Sequence, residues 1–242
     1  ITPLLAASPG RLQRSLAAGK IRDALVVHIC LRAKRYDDYA RDFLSRHPDA
    51  AIVNIGCGID TRFDRIDNGK VRFYDLDFPE VIRFKKKLVK ETPRYHLIAS
   101  SVFNFTWMEE VLAGHPEHVL FLVEGVFMYC EPQQVKSLML EMQRRFPASE
   151  MVCEVINKRW VSPFAQKLLA LKMQTQLKMG KDSLFRFGVA DGTEMESWHD
   201  GITFLDEWSY FDSNNPRLGA MSLLGKSKSM RYTQWTVHYR LS

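Results

Sequence analysis

Short apolar runs separated by helical segments constrain this chain more than any other feature. Residues 51–55, 71–76, 95–99, 119–123 and 151–156 are each four to eight residues long and mostly aliphatic or aromatic, the look of strands buried on both faces. Between them lie segments of helical character. Pro79 stands where a helix would open, and Val135, Leu138, Met139, Met142 and Phe146 fall on one stripe. Strands alternating with helices imply a parallel sheet with right-handed crossovers. Two later runs, 202–211 and 232–241, add further strands; in the second, Tyr232, Gln234, Thr236 and His238 alternate. The first 48 residues read as helical, with Tyr36, Tyr39, Ala40, Phe43 and Leu44 on one face.

Residues 162–198 break the rhythm. Ser162-Pro163 suits a helix start, and Phe164, Leu168, Leu169 and Met173 share the face beyond it. Met173, Leu177 and Met179 suit a binding face, although methionines on a helix are more often adaptable packing. The region 180–192 reads as a loop. With 242 residues, the chain is long enough for one large domain.

Composition excludes several classes. No apolar run approaches the roughly 20 residues of a membrane helix. The opening ITPLLAASPG is too weakly apolar, with no basic residues before it, for a signal peptide. Cys30, Cys57, Cys130 and Cys153 are scattered without a C-x-x-C pair, which suits reduced, mostly buried thiols in a cytosolic protein. The seven histidines show no metal-ligand spacing, so no metal is expected. The net charge of +6 suits an anionic ligand without implying nucleic acid. Lys85-Lys86-Lys87 reads as the wet face of a helix whose apolar side is Val81, Phe84 and Leu88.

The chemistry begins at VNIGCGIDTRF. A strand runs into Gly56-Cys57-Gly58, where glycines let backbone approach a ligand closely. A dinucleotide fingerprint would place another glycine at position 61, which holds Thr61. Asp75 and Asp77 end the second strand at roughly the 20-residue spacing at which an acid meets ribose hydroxyls. Together these point to an adenosine-containing cofactor. Asp60 at the next helix start disfavours a pyrophosphate, because helix N-termini attract anions and a carboxylate there repels them. A phosphate-free cofactor such as S-adenosylmethionine meets no such objection.

The stretch VNIGCGIDTRFDRIDNGKVRFYDLDFPEVI, with VEGVFMY at 123–129, resembles the leucine carboxyl methyltransferases and the related tetracenomycin-type polyketide O-methyltransferases. The resemblance implies an α/β, Rossmann-like class I methyltransferase fold: a seven-stranded, mostly parallel, doubly wound sheet with a helical N-terminal extension and a helical lid. The expected division is 1–48 for the extension, 49–157 for the cofactor-binding core, 158–198 for the lid and 199–242 for the closing strands.

The same resemblance implies S-adenosylmethionine as cofactor and S-adenosylhomocysteine as product. It assigns Arg32 to the methionyl carboxylate, with Arg35 as the neighbouring alternative. Gly56, and with it Gly58, faces the cofactor. Asp77 takes the ribose, with Asp75 as the second candidate. Ser101 and Val102 lie beside the adenine, and Glu124 near the methionyl amino group. Tyr129 falls close to the reacting atoms as the candidate catalytic residue; an interior tyrosine with a bonded hydroxyl is the competing reading. Glu124 also has its own rationale, since an acid ending a buried strand is costly without a cation or donors.

The expected reaction is methyl transfer to an oxygen, a carboxylate or hydroxyl of a small polyketide-like acid. A carboxylate is already ionised at neutral pH and needs no strong base; a phenol would need one, with His199 or His96 as first suspects. The expected partner is a small anionic acceptor, with no nucleic acid and no membrane, and the oligomeric state is left open, a homodimer included. The rival readings are a protein C-terminal carboxyl methyltransferase, an NAD-dependent oxidoreductase, a base-methylating enzyme and a non-catalytic S-adenosylmethionine-binding protein. Val123-Glu124-Gly125-Val126 lacks the N/D-P-P-Y/F pattern of enzymes that methylate base amino groups.

Overall fold

In the computed structural model, residues 23–162, 185–213, 215–216 and 225–242 are described. Seven strands form one sheet: β1 (Ala51–Ile55), β2 (Arg72–Asp77), β3 (Tyr95–Ala99), β4 (Val119–Val123), β5 (Ser149–Ile156), β6 (Ile202–Trp208) and β7 (Gln234–Leu241). Their spatial order is β3-β2-β1-β4-β5-β7-β6. The first five strands run parallel; β7 is antiparallel to β5, and β6 to β7. β1, β4 and β5 are buried at every position, as their continuous apolar runs require of strands covered on both faces. The order reverses between β1 and β4, which opens a crevice at their carboxyl ends.

Helices cover both faces. They are α1 (Asp23–Arg46), α2 (Arg62–Ile66), α3 (Pro79–Lys85), α4 (Trp107–Leu112), α5 (Pro132–Arg145) and the short α6 (Lys228–Arg231). Pro79 and Pro132 open their helices, where a missing N–H costs nothing. One core packs Trp107, Val135, Leu138, Met139 and Met142 against Phe121 and Met151. The other packs Tyr36, Ala40 and Phe43 of α1 against Ile52, Leu120 and Leu122. The stripe expected on α1 is thus its buried face. Trp107 is fully buried, and its indole Nε1 donates to the Val102 carbonyl at 2.9 Å, which fixes the loop after β3.

One local expectation differs from the structure. Lys85 is not on a wet face: it is 1% exposed, while Leu88 on the supposed apolar side is 60% exposed. The buried Asp75 carboxylate on β2 draws the Lys85 ammonium inward to 2.8 Å, since a buried charge is costly without a partner. The alternation along β7 does not divide a wet face from a dry one. Thr236 and His238 are buried, with His238 between Glu150 of β5 (2.8 Å) and Asp206 of β6 (3.6 Å), and Tyr39 of α1 lies over it. The helix expected from Ser162-Pro163 and its methionine face fall outside the described residues, as does the start of the N-terminal extension. Among the described residues, no helix is long and apolar enough to cross a membrane.

Candidate functional site

β1 ends in a turn that only small residues can make. Gly56 has φ +68° and Gly58 φ +52°, left-handed values at which a Cβ is strained. The Gly56 and Cys57 N–H groups both donate to the Leu76 carbonyl, at 2.8 and 3.2 Å. Asp77 accepts from the N–H groups of Gly58 (2.8 Å) and Phe78 (2.7 Å), so its carboxylate is locked against the turn. Burial pushes the Asp77 pKa up, and the two backbone donors oppose this. A small open pocket sits here, lined by Gly56, Leu76, Asp77, Phe78, Ser100 and Val102.

Three of the expected residues, Gly56, Asp77 and Val102, therefore share one pocket, and Gly58 braces it. Ser101 does not line it; its neighbour Ser100 does, while Ser101 Oγ accepts from the Phe103 N–H at 3.3 Å. Asp75 is withdrawn from it. That side chain is 1% exposed, and its oxygens accept from Asn54 (2.8 Å), Tyr95 (2.5 Å) and Lys85 (2.8 Å). It holds the interior together rather than offering itself to a ribose.

The register places Glu124 opposite Asp77. Ile55 pairs with Leu76 on one side and Val123 on the other. Asp77 and Glu124 thus flank Gly56 from the ends of adjacent strands, with Cα atoms about 10 Å apart at ordinary strand spacing. Glu124 Oε1 accepts from Arg32 Nε at 2.8 Å and Oε2 from Arg62 Nη2 at 2.6 Å. Burial pushes the Glu124 pKa up, but the two guanidinium groups carry it below the ordinary value. Arg32 also meets both oxygens of Glu154 through Nη1, at 2.8 and 3.0 Å. Its Nη2 donates to no described residue and lies beside Gly125, 3.7 Å from where a Cβ would stand. Arg35 turns away, toward Asp206 of β6 at 3.5 Å and the Tyr39 ring at 4.2 Å. Of the two arginines, Arg32 is the one at the crevice.

The polar cluster extends below the turn. Arg62, 1% exposed, reaches Asp37 (2.9 Å), Asn54 (3.0 Å) and Asp60 (3.2 Å) besides Glu124. Asp60 also meets Arg65 at 3.0 Å, so it is not the bare charge its place before α2 suggested. Tyr129 lies in a short 3-10 turn, Phe127–Tyr129, after β4, its ring 5.6 Å from that of Phe185. Burial and then the Glu154 carboxylate raise its pKa, so the hydroxyl keeps its proton at neutral pH.

Both suspected histidines are elsewhere. His96 stacks on Tyr74 at 4.9 Å, about 10 Å of strand short of the carboxyl end of β3. His199 precedes Ile202, which pairs through Leu241 with Ser149 at the opposite end of the sheet. His28, a turn before Arg32, is the histidine at the crevice end; burial and then Arg32 hold its pKa down to about 4, so it is neutral. Sequence reasoning missed Arg62 and Glu154. Arg62 stands inside the motif that was quoted, and Glu154 interrupts an apolar strand as Glu124 ends one, the same signal of a buried acid needing a cation.

Comparison with known proteins places the chain in one family. The leucine carboxyl methyltransferase family model matches residues 9–143. The chain is 28% identical over 186 residues to the tetracenomycin polyketide synthesis O-methyltransferase TcmP of Streptomyces glaucescens, covering 76% of this chain and 65% of that protein. It is 27% identical over 134 residues to the S-adenosyl-L-methionine-dependent methyltransferase dpfgK of Gibberella zeae, covering 52% of this chain and 45% of that one. The chain thus spans less than two thirds of either curated relative. Among solved structures, a DUF574 family protein from Streptomyces avermitilis is similar in fold, with a TM-score of 0.62, 12% identity and coverage of 90% and 86% of the two chains. The cofactor of the matched family is S-adenosylmethionine.

Proposed function

Because this chain belongs to the leucine carboxyl methyltransferase family, we propose that it moves the methyl group of S-adenosylmethionine to an oxygen of a small organic acid, its carboxylate first and a hydroxyl second. The observation that carries this reading is the pair of carboxylates, Asp77 and Glu124, on either side of Gly56. Asp77, already oriented by two backbone N–H groups, would accept from the ribose hydroxyls; a charged acceptor makes such bonds stronger. Phe78 and Val102 would enclose the adenine. Glu124 would meet the methionyl ammonium, and Arg32 Nη2 the methionyl carboxylate. The cofactor supplies an electrophilic methyl on a positive sulfur. The two acids flanking the turn suit ribose hydroxyls and an ammonium better than a pyrophosphate.

The chain's own part is binding, alignment and exclusion of water. Tyr129, protonated at neutral pH, serves as a wall and donor rather than as a base. An ionised carboxylate acceptor asks nothing more, with a pKa of about 4. The net charge of +6 favours the approach of such an anion. The buried thiols Cys57, Cys130 and Cys153 fit a reducing compartment, and we place the protein in the cytoplasm on that basis. A second reading, a protein C-terminal carboxylate as acceptor, is favoured by the family whose model matches.

Methyl-labelled cofactor offered with a panel of aromatic acids, fatty acids and carboxyl-terminal peptides tests all of this. Base-labile labelled product from a small acid supports the proposal. Label on the peptides alone moves it to the second reading, and a base-stable ether moves it to a hydroxyl acceptor. Thermal stabilisation by NADH without any by S-adenosylhomocysteine would overturn it.

A further inference from the structure

We propose that Lys85 is a positioning residue for the cofactor site, tying the far limb of the glycine turn to the interior of the sheet. The inference rests on the function proposed above. Lys85 ends α3 and is 1% exposed. Its ammonium lies 2.6 Å from the Asp60 carbonyl and 2.8 Å from Asp75 Oδ2. Asp75 is itself fixed by Asn54 and by the Tyr95 hydroxyl. A backbone carbonyl of the turn is therefore anchored through one ammonium to a carboxylate that cannot move.

The turn needs such an anchor. A Cβ at Gly58 would meet nothing within 4 Å, and Ile59 is 47% exposed, so apolar packing does little to hold the tip of the turn. Its near limb is held by Gly56 and Cys57 on the Leu76 carbonyl. The far limb is also held within the turn by the Asp60 N–H on the Cys57 carbonyl at 3.0 Å, and by the Asp60 carboxylate on buried Arg62 (3.2 Å) and part-exposed Arg65 (3.0 Å). The contact of Lys85 with the Asp60 carbonyl is the hold that ties the backbone of this limb to the buried acid of β2. Between the two holds lies Gly58, whose N–H orients Asp77. A slack far limb would let that N–H drift and would blunt the acceptor that meets the ribose. A buried ion pair is no better for stability than apolar packing, so stability alone does not account for this one.

Lys85→Met alone would leave Asp75 as a buried unpaired charge, and that variant is expected to fold poorly. The informative protein is Lys85→Met/Asp75→Asn, which removes both charges and keeps the shape. Its melting temperature should stay near the wild-type value. Its affinity for S-adenosylhomocysteine, by calorimetry, should fall by about tenfold or more. Hydrogen exchange at Gly58 should quicken while that of β1 and β4 does not. A folded double variant that binds within about twofold of wild type, or exchanges at Gly58 at the wild-type rate, overturns the proposal. Should the double variant not fold, the wild-type lysine ammonium spectrum decides: the Lys85 signal should move when S-adenosylhomocysteine is added, and a fixed signal refutes the tether. Wild-type protein that does not bind S-adenosylhomocysteine counts against the proposed function instead, and Gly58 exchange in the double variant then judges the tether alone.

Discussion

Arg32→Ala and Arg35→Ala sit one turn apart on α1 and should behave very differently. Arg32 bridges Glu124 and Glu154, whose side chains are 16% and 2% exposed. Removing it leaves Glu124 with Arg62 but strips Glu154 of its cation. Breaking a buried pair from one side costs about 3–5 kcal/mol, and the lower figure is appropriate because Arg32 is itself 20% exposed. About 3 kcal/mol lowers the melting temperature of a chain this size by about 6–12 °C. Arg35 meets the half-exposed Asp206 at 3.5 Å; such a pair contributes about 0–1 kcal/mol, or at most about 4 °C. Loss of a charged hydrogen bond to the methionyl carboxylate should weaken S-adenosylhomocysteine by about 10- to 100-fold in Arg32→Ala, and Arg35→Ala should leave affinity near wild type.

The Arg32→Ala defect also has a pH signature. Burial raises the Glu154 pKa above its unfolded value, and Arg32 opposes that rise; without Arg32 it rises further. A folded-state pKa above the unfolded one means that protonation favours the fold, so the variant recovers stability as pH falls toward the ordinary glutamate value and loses it as pH rises. Scanning calorimetry from pH 5 to 8, with calorimetric titration of S-adenosylhomocysteine, measures both effects. Equal melting temperatures and affinities for the two variants would refute the assignment of Arg32 as the clamp.

Asp77→Asn keeps the shape but removes the charge that accepts from Gly58 and Phe78; S-adenosylhomocysteine should bind about tenfold or more weakly, while Asp75→Asn, which leaves buried Lys85 without its carboxylate, should lower stability as well as affinity, each read by titration and melting. His238 has its pKa raised, burial being outweighed by Asp206 and Glu150; its stabilisation is complete below pH 6.5 and fades as pH climbs through the raised value, so His238→Gln should flatten the melting-temperature profile above neutrality. Glu150, brought down to about 2 by His238 and Arg46 against the effect of burial, should add an acid limb that fades from about pH 4.5 downward. Trp107→Phe removes the bond to the Val102 carbonyl and should cost about 1 kcal/mol, with a smaller loss of cofactor affinity, seen by denaturant melts and titration.

What could be read from the sequence follows the physics of period and burial. β1, β3 and β4 end where their apolar runs end, because a strand covered on both faces admits a polar residue only where a partner meets it, as Asp75 and Arg62 meet Asn54. The two antiparallel strands were found too, but not which face of β7 was dry. The burial of His238 cannot be read along the chain because its partners, Glu150 and Asp206, are far away in it. Lys85 misled for the same reason: a lysine triplet next to other lysines looks wet until a buried acid from another strand appears beside it. At the site, the acid after β2 was placed by spacing, but spacing cannot separate Asp75 from Asp77, which share one face of the strand. Only the end of the strand frees Asp77 to meet the turn.

Lys85 and His238 carry contacts that chain order hides, and at the crevice such contacts are continuous. Lys85 meets Asp75, Asp75 meets Asn54, Asn54 meets Arg62, Arg62 meets Glu124, Glu124 meets Arg32, and Arg32 meets Glu154. The row crosses the sheet from β2 to β5 beneath the glycine turn. Each member is fixed by neighbours on two sides, so Glu124, the member that would meet the cofactor, needs little reorientation when it arrives, which is what gives fixed dipoles and charges their advantage over water. The same continuity predicts coupling. Lys85→Met/Asp75→Asn at one end and Glu154→Gln at the other share no contact, and independent sites would add in their effect on S-adenosylhomocysteine affinity. If the row acts as one rigid unit, the combined variant loses less than the sum of the two, because the first break has already released what the second would free. Strict additivity in a double-mutant cycle would show instead that each pair acts alone.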